Sequence, residues 1–377
     1  MKKKVGIITF HASYNHGSVF QAQATQQAIQ NLGYDAEIID YRPKTYDEYD
    51  KLYCQRGHGG IKGRLYYAFL RMHRAKRLER VQKFQQYQRE NLHLSQKRYL
   101  TYDSLSEIAG AYDIFVSGSD QIWSKNVPEI AKDSENAVLA YYLGFTQRKK
   151  IAYASSVASM KEADLEEFQS YLMDYAYIST RESVGAERLQ HITGRDITTV
   201  IDPSFLLDCQ EWMRFAEPQR LVDGKYVLLY SLRNYVAEKN WSDALNVFAE
   251  RHGLKIVVIA PYFERKMKNA IDMRLAGPKE FLRLYADAEV VCTDTFHGTA
   301  FAVNFQKPVY SLGNKYWKED IRKTSLLKAL HMESRLIDDE NDLLSVEDYR
   351  FDEKEAAAIL EQQRKESICY LRHALKD

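Results

Sequence analysis

Short apolar, β-branched runs recur along this chain, and nearly every one ends in small polar or charged residues. Lys4–Phe10 runs into His11-Ala12-Ser13-Tyr14-Asn15-His16-Gly17-Ser18. A helix is expected over Val19–Leu32, stopped by Gly33, and a second strand over Ala36–Asp40. Asp113–Val116 ends in Ser117-Gly118-Ser119-Asp120, Lys150–Ala154 in Ser155-Ser156, Tyr177–Thr180 in Arg181-Glu182-Ser183, and Thr198–Ile201 in Asp202-Pro203-Ser204. Helical patterns over Ala163–Met173 and Val184–His191 separate the later runs. Apolar runs alternating with helices specify a parallel α/β sheet. In open parallel sheets ligands bind at the carboxyl ends of strands, so the polar endings mark a cleft.

The pattern restarts further on. Gln210–Gly224 is polar, contains Pro218, and reads as a linker. Strands are then expected over Tyr226–Leu232, Lys255–Ile259, Glu289–Thr293 and Pro308–Leu312, with helices over Trp241–Arg251 and Lys279–Ala286 and another running to Phe305. Glu353–Leu375 is a charged helix. A chain of 377 residues is long enough for two domains. The expected organisation is α/β: a Rossmann-like domain over 1–212, a second over 213–350 facing it across a cleft, and a C-terminal helix over 351–377 bracing the two.

A net charge of +1 calls for no nucleic-acid partner. Cys54, Cys209, Cys292 and Cys369 form no CxxC pair, which argues against a zinc knuckle and suits a reducing cytoplasm. The basic start, Met1–Lys4, precedes an apolar run too short for a signal peptide, and no stretch is apolar enough to cross a bilayer. A cytoplasmic location is expected. The 27 tyrosines read as core and surface filling rather than as a sugar platform. Lys62–Arg89 reads as helix with nine Lys/Arg and one acid, Glu79. It either makes peripheral contact with an anionic membrane or is an ordinary helix with a solvated basic face.

The strongest local site is Asp294-Thr295-Phe296-His297-Gly298-Thr299, between an expected strand and helix. Amides at a helix start favour an anion, Gly298 admits a ligand close to the backbone, and His297 can move a proton near neutral pH. The competing reading is a helix cap with a structural histidine. Asn15, His16, Gly17 and Ser18 open the first helix but lack both GxGxxG and the P-loop Lys-Ser/Thr, so they serve equally as a turn and cap. Ser117–Asp120 departs from GxSxG, which disfavours a hydrolase. Arg181 either grips a carboxylate or phosphate or forms a buried ion pair with Glu182 that fixes the fold. No cluster has metal-ligand spacing, so no metal is expected.

Six segments, in order, resemble the polysaccharide pyruvyl transferase family. Tyr14–Ala22 is similar to its N-terminal loop and helix, and Asp40-Tyr41-Arg42-Pro43 to its second-strand ending. Gly118-Ser119-Asp120-Gln121-Ile122-Trp123 matches its Gly-Ser-Asp-Gln-x-Trp segment. Ser179–Glu182 resembles its Ser-x-Arg-Glu, Asp202-Pro203-Ser204 its Asp-Pro-Thr/Ser, and Thr293–Gly298 its Thr-Asp-Ser-Phe-His-Gly.

The resemblance implies a GT-B-like fold, with the acceptor on the N-terminal domain and the donor on the C-terminal one. It implies phosphoenolpyruvate as donor substrate, no resident cofactor, and ketal formation on two hydroxyls of a sugar. That sugar belongs to an exopolysaccharide or cell-envelope intermediate, free or linked to a lipid carrier. The family's histidine falls on His297 and its arginine on Arg181. His297, Asp294 and Asp120 are the candidates for chemistry. Arg181, Asn15, His16, Gly17, Ser119, Thr295 and Gly298 are the candidates for binding. His16 and Thr295 replace the usual Tyr and Ser, and no arginine stands just before His297. Arg322, with Arg233 behind it, is therefore the expected second anion-gripping residue. Two alternatives remain open at this point: a GT-B glycosyltransferase using a nucleotide sugar, and a non-catalytic glycan or lipid-carrier binding protein.

Overall fold

The computed structural model describes residues 2–43, 74–127, 129–131, 135–232, 239–260, 267–313 and 320–376. The chain forms two compact units. The first comprises Met1–Ala75, Gln85–Leu206 and Gln363–Asp377, and the second Lys76–Phe84 and Leu207–Gln362.

The first unit is built on a seven-stranded, all-parallel sheet. Its strands are β1 (Lys4–Ile8), β2 (Asp35–Tyr41), β3 (Leu94–Tyr99), β4 (Ile114–Ser117), β5 (Lys149–Ser155), β6 (Tyr177–Thr180) and β7 (Thr198–Thr199), in the order β3-β2-β1-β4-β5-β6-β7. The second unit repeats the plan with six parallel strands: β8 (Tyr226–Tyr230), β9 (Lys255–Ile259), β10 (Ala270–Asp272), β11 (Val290–Thr293), β12 (Val309–Leu312) and β13 (Leu336–Ile337). Their order is β10-β9-β8-β11-β12-β13. Counted within each unit, both sheets run third, second, first, fourth, fifth, sixth, and the first adds a seventh. That is the doubly wound Rossmann order, which reverses direction between the first and fourth strands and opens a crevice at their carboxyl ends.

Helix α1 (His16–Asn31) begins three residues earlier than the sequence pattern suggests, because the Asn15 side chain caps it by accepting from Gly17 N at 2.9 Å. It is buried on almost every side, glutamines included. Two of them find partners: Gln26 donates to the carbonyls of Ala36 and His93, and the Tyr87 hydroxyl donates to Gln23 Oε1 at 2.5 Å.

The basic helix is seen as α2 (Arg74–Asn91), and residues 62–73 lie outside the described residues. In the described part Phe84 and Tyr87 are buried, and Lys83 pairs with Glu280 at 2.6 Å within the second unit. The protein's own fold thus covers part of this apolar face, while Leu78 stays exposed. The expected helix over Ala163–Met173 is two short ones, Glu162–Glu166 and Gln169–Met173. The break turns Phe168 inward to stack on Tyr142, with centroids 4.5 Å apart.

The proposed linker also carries structure, a short helix over Cys209–Met213 opened by an Asp208–Glu211 capping box. Tyrosine is core material: Tyr41, Tyr141, Tyr153, Tyr175, Tyr226 and Tyr285 are among the largest fully buried side chains. Among the described residues no helix is long and apolar enough to cross a membrane, and no group of acids, histidines and cysteines is placed to hold a metal.

Candidate functional site

Each unit gathers chemistry-bearing side chains at the carboxyl ends of its strands, but the two gatherings differ in kind. In the first unit, β4 ends at Gly118-Ser119-Asp120. Gly118 has φ 133°, and a Cβ there would run into the Tyr153 carbonyl of β5, so the close strand approach needs glycine. Ser119 is buried and donates to Ala154 O at 2.5 Å. Asp120 sits at φ 75°, its carbonyl accepting from Ser156 N at 2.9 Å. Trp123 closes the segment from inside the core, donating to Tyr141 O at 3.0 Å.

Arg181 stands at the centre of this end of the sheet. Its Nε donates to Glu182 at 2.9 Å, Nη1 to Asp202 at 2.6 Å and Nη2 to Asp120 at 3.1 Å. Burial alone would disfavour its charge, but Glu182, Asp120 and Asp202 outweigh it and hold the guanidinium charged far above its ordinary range. Asp202 also accepts from Ser204 N and Oγ, and Glu182 from Ser156 Oγ. The ends of β4, β6 and β7 are thus tied through one side chain, and Ser156 joins β5 to them through Glu182. Of the two roles read from the sequence, the geometry is that of the buried ion-pair network.

Glu129, in the loop that follows Asp120, has a carboxyl pushed up to about 7, by burial first and by the charge of Asp120 second. Sequence reasoning missed it because nothing local distinguishes it from a surface acid.

In the second unit, the reversal point lies between β8 and β11. Asp294, the first residue after β11, accepts from Ser231 Oγ at 2.5 Å and from Leu232 N at 2.9 Å, both following β8. Asp294 therefore links the ends of β11 and β8 across the switch point. Helix α3 (Phe296–Asn304) starts next, capped by Thr295, whose Oγ1 accepts from Gly298 N at 2.8 Å. His297 lies in the first turn, buried to 9% exposure, with its ring edge-on to Phe296.

Gly298 corrects one expectation. Its missing Cβ does not make room for a ligand: a Cβ there would meet the side chains of Thr293 and Thr295. The glycine lets the chain's own threonines pack under the helix start. Ser231 was also missed in the sequence. Its signal is positional, since it follows the first strand of the second repeat.

Asn15 and Gly17 cap α1, and His16 is buried with its ring beside Phe20. Arg322 meets Asp320, the cap of its own helix, through Nε and Nη2 at 2.9 Å each, so its fork is committed there. Arg233 lies outside the described residues.

The chain matches known proteins at two levels. No curated protein sequence matches it. Among solved structures it is similar to a putative UDP-N-acetylglucosamine 2-epimerase from Listeria monocytogenes, at 11% identity and a TM-score of 0.54, covering 99% of this chain and 91% of that one. It is also similar to UDP-GlcNAc 2-epimerase from Methanocaldococcus jannaschii, at 13% identity and a TM-score of 0.53, covering 96% and 99%. At such identity the likeness is one of fold, two Rossmann-like domains of the GT-B-like class. The family model of polysaccharide pyruvyl transferase matches residues 15–316, spanning both switch points, and the chain belongs to that family.

Proposed function

We propose that the chain transfers the pyruvyl group of phosphoenolpyruvate to two hydroxyls of a sugar in a polysaccharide intermediate, forming a ketal and releasing phosphate. The observation that carries this reading is the Asp294–His297 arrangement at the second unit's switch point, in a chain of this family. A proton adds to the donor's methylene carbon, turning C2 into an oxocarbenium-like centre. A sugar hydroxyl, losing its proton to a base, bonds to C2. The C2–O bond to phosphate breaks, and the second hydroxyl closes the ketal.

His297 is the proposed proton carrier, held at a helix start. Asp294, anchored by Ser231 and Leu232, orients it or the substrate. Helix α3 directs backbone amides toward an incoming phosphate or carboxylate. Asp120 is proposed to face the acceptor from the first unit. With Arg181 bound to three carboxylates, we assign it the positioning of Asp120 rather than direct contact with the donor.

The test is phosphate release from phosphoenolpyruvate across a panel of sugar acceptors, free and carrier-linked, run beside nucleotide release from UDP-sugars. Acceptor-dependent phosphate release supports the proposal. Nucleotide release with no response to phosphoenolpyruvate replaces it with a glycosyltransferase.

A further inference from the structure

The Asp-Tyr-Arg ending of β2 has no role in the chemistry above, yet it is unusually organised. His11, 1% exposed, follows β1 and directs Nε2 to Asp40 Oδ1 at 2.9 Å, while its Nδ1 faces Thr9 O at 3.2 Å. Arg42 Nε donates to the same Oδ1. Arg98, opposite Asp40 in the β2–β3 register, directs Nε to Oδ2 at 3.3 Å. Burial of Asp40 opposes its ionisation, but the His11 hydrogen bond and the charges of His11 and Arg42 hold the carboxyl well below the ordinary range.

The charges do not balance. One carboxylate faces two guanidiniums, and each guanidinium meets it through Nε alone. Among the described residues, no further acceptor meets the terminal nitrogens of either arginine. Arg181 and Arg322 differ, since their terminal nitrogens are taken by carboxylates. Arg42 is mostly buried at 15% side-chain exposure, and Arg98 is half exposed at 50%. The pair is therefore anchored from below by Asp40, at the carboxyl ends of three neighbouring strands, with its remaining donors unassigned. Guanidinium forks on a rigid base suit the oxygens of a phosphate ester, and a diphosphate can engage two forks at once.

We propose that Arg42 and Arg98 form an anion site on the first unit that holds a phosphate or diphosphate ester carried by the sugar acceptor. This rests on the reading above in one respect: the donor's own phosphate is assigned to the second unit, so an anion here belongs to the other substrate.

The test titrates inorganic pyrophosphate into the full chain by calorimetry, with and without saturating phosphoenolpyruvate. The variants are Arg98→Ala and Arg98→Lys, with melting temperature read alongside. Expected are wild-type binding that persists with phosphoenolpyruvate present and weakens about ten- to a hundredfold in Arg98→Ala. Arg98→Lys keeps the charge but loses the fork, and should fall between them. Wild-type affinity in Arg98→Ala, no pyrophosphate binding by the wild type, or complete competition by phosphoenolpyruvate would each overturn the proposal. A protein that ignores phosphoenolpyruvate but loses pyrophosphate binding in Arg98→Ala would sink the donor assignment and leave the arginine site standing.

Discussion

The two switch points share a topology and divide the work differently. In the first unit the strand ends are knotted by charge: Arg181 is buried and shared by Asp120, Glu182 and Asp202. In the second unit Asp294, at the corresponding end, accepts from a hydroxyl and a backbone amide, and His297 lies in the first turn of the helix that follows. A group bound to three counter-charges cannot readily change its protonation or partners. In the proposed mechanism His297 moves a proton. The same fold plan thus yields a charge-tied end in one copy and the proposed proton-handling end in the other.

The comparison breaks most directly at Arg181. Arg181→Met leaves three carboxylates around an apolar side chain, and should destabilise the fold by about 3–5 kcal/mol. Urea unfolding followed by circular dichroism measures this. A loss under about 1 kcal/mol would mean the cluster is not the platform.

In the second unit, Gly298→Ala forces a methyl against the stiff Thr293 and Thr295 side chains. The expected cost is about 1–3 kcal/mol, with turnover falling as the His297 turn shifts. Thermal unfolding and initial rates, read together, check it.

A pH-dependent effect is expected at Glu129. Its carboxyl is raised from 4.5 to about 7. Its contribution to stability is therefore complete below pH 4.5 and is lost as pH rises through about 7. Glu129→Gln mimics the protonated form, so the variant should gain on the wild type progressively across that window and match its pH dependence below it. Parallel stability–pH curves would remove Glu129 from the account.

Much of this division was legible in the sequence, and the exceptions have physical causes. The central strands β1, β8 and β11 announce themselves as apolar runs because neighbours cover them on both sides. Strand β3, Leu94–Tyr99, reads Leu-Ser-Gln-Lys-Arg-Tyr and is partly exposed at the sheet edge, so burial left no apolar signature. The edge strands Ala270–Asp272 and Leu336–Ile337 are too short to show a period.

Among site residues, the family motifs led to Asp294, His297 and Arg181. What they could not show is which partners each side chain finds once folded. Arg181 met three acids from separate loops, and Arg322 met Asp320 two residues away. Ser231 became visible only when β8 was paired beside β11.

The most direct measurement is phosphoenolpyruvate-dependent phosphate release by the wild type and by His297→Ala, compared at equal melting temperature. The account predicts that turnover falls about 10²–10⁴-fold in the variant while stability is unchanged. Full turnover in a folded His297→Ala protein would contradict it and move the proton chemistry away from the second unit's switch point.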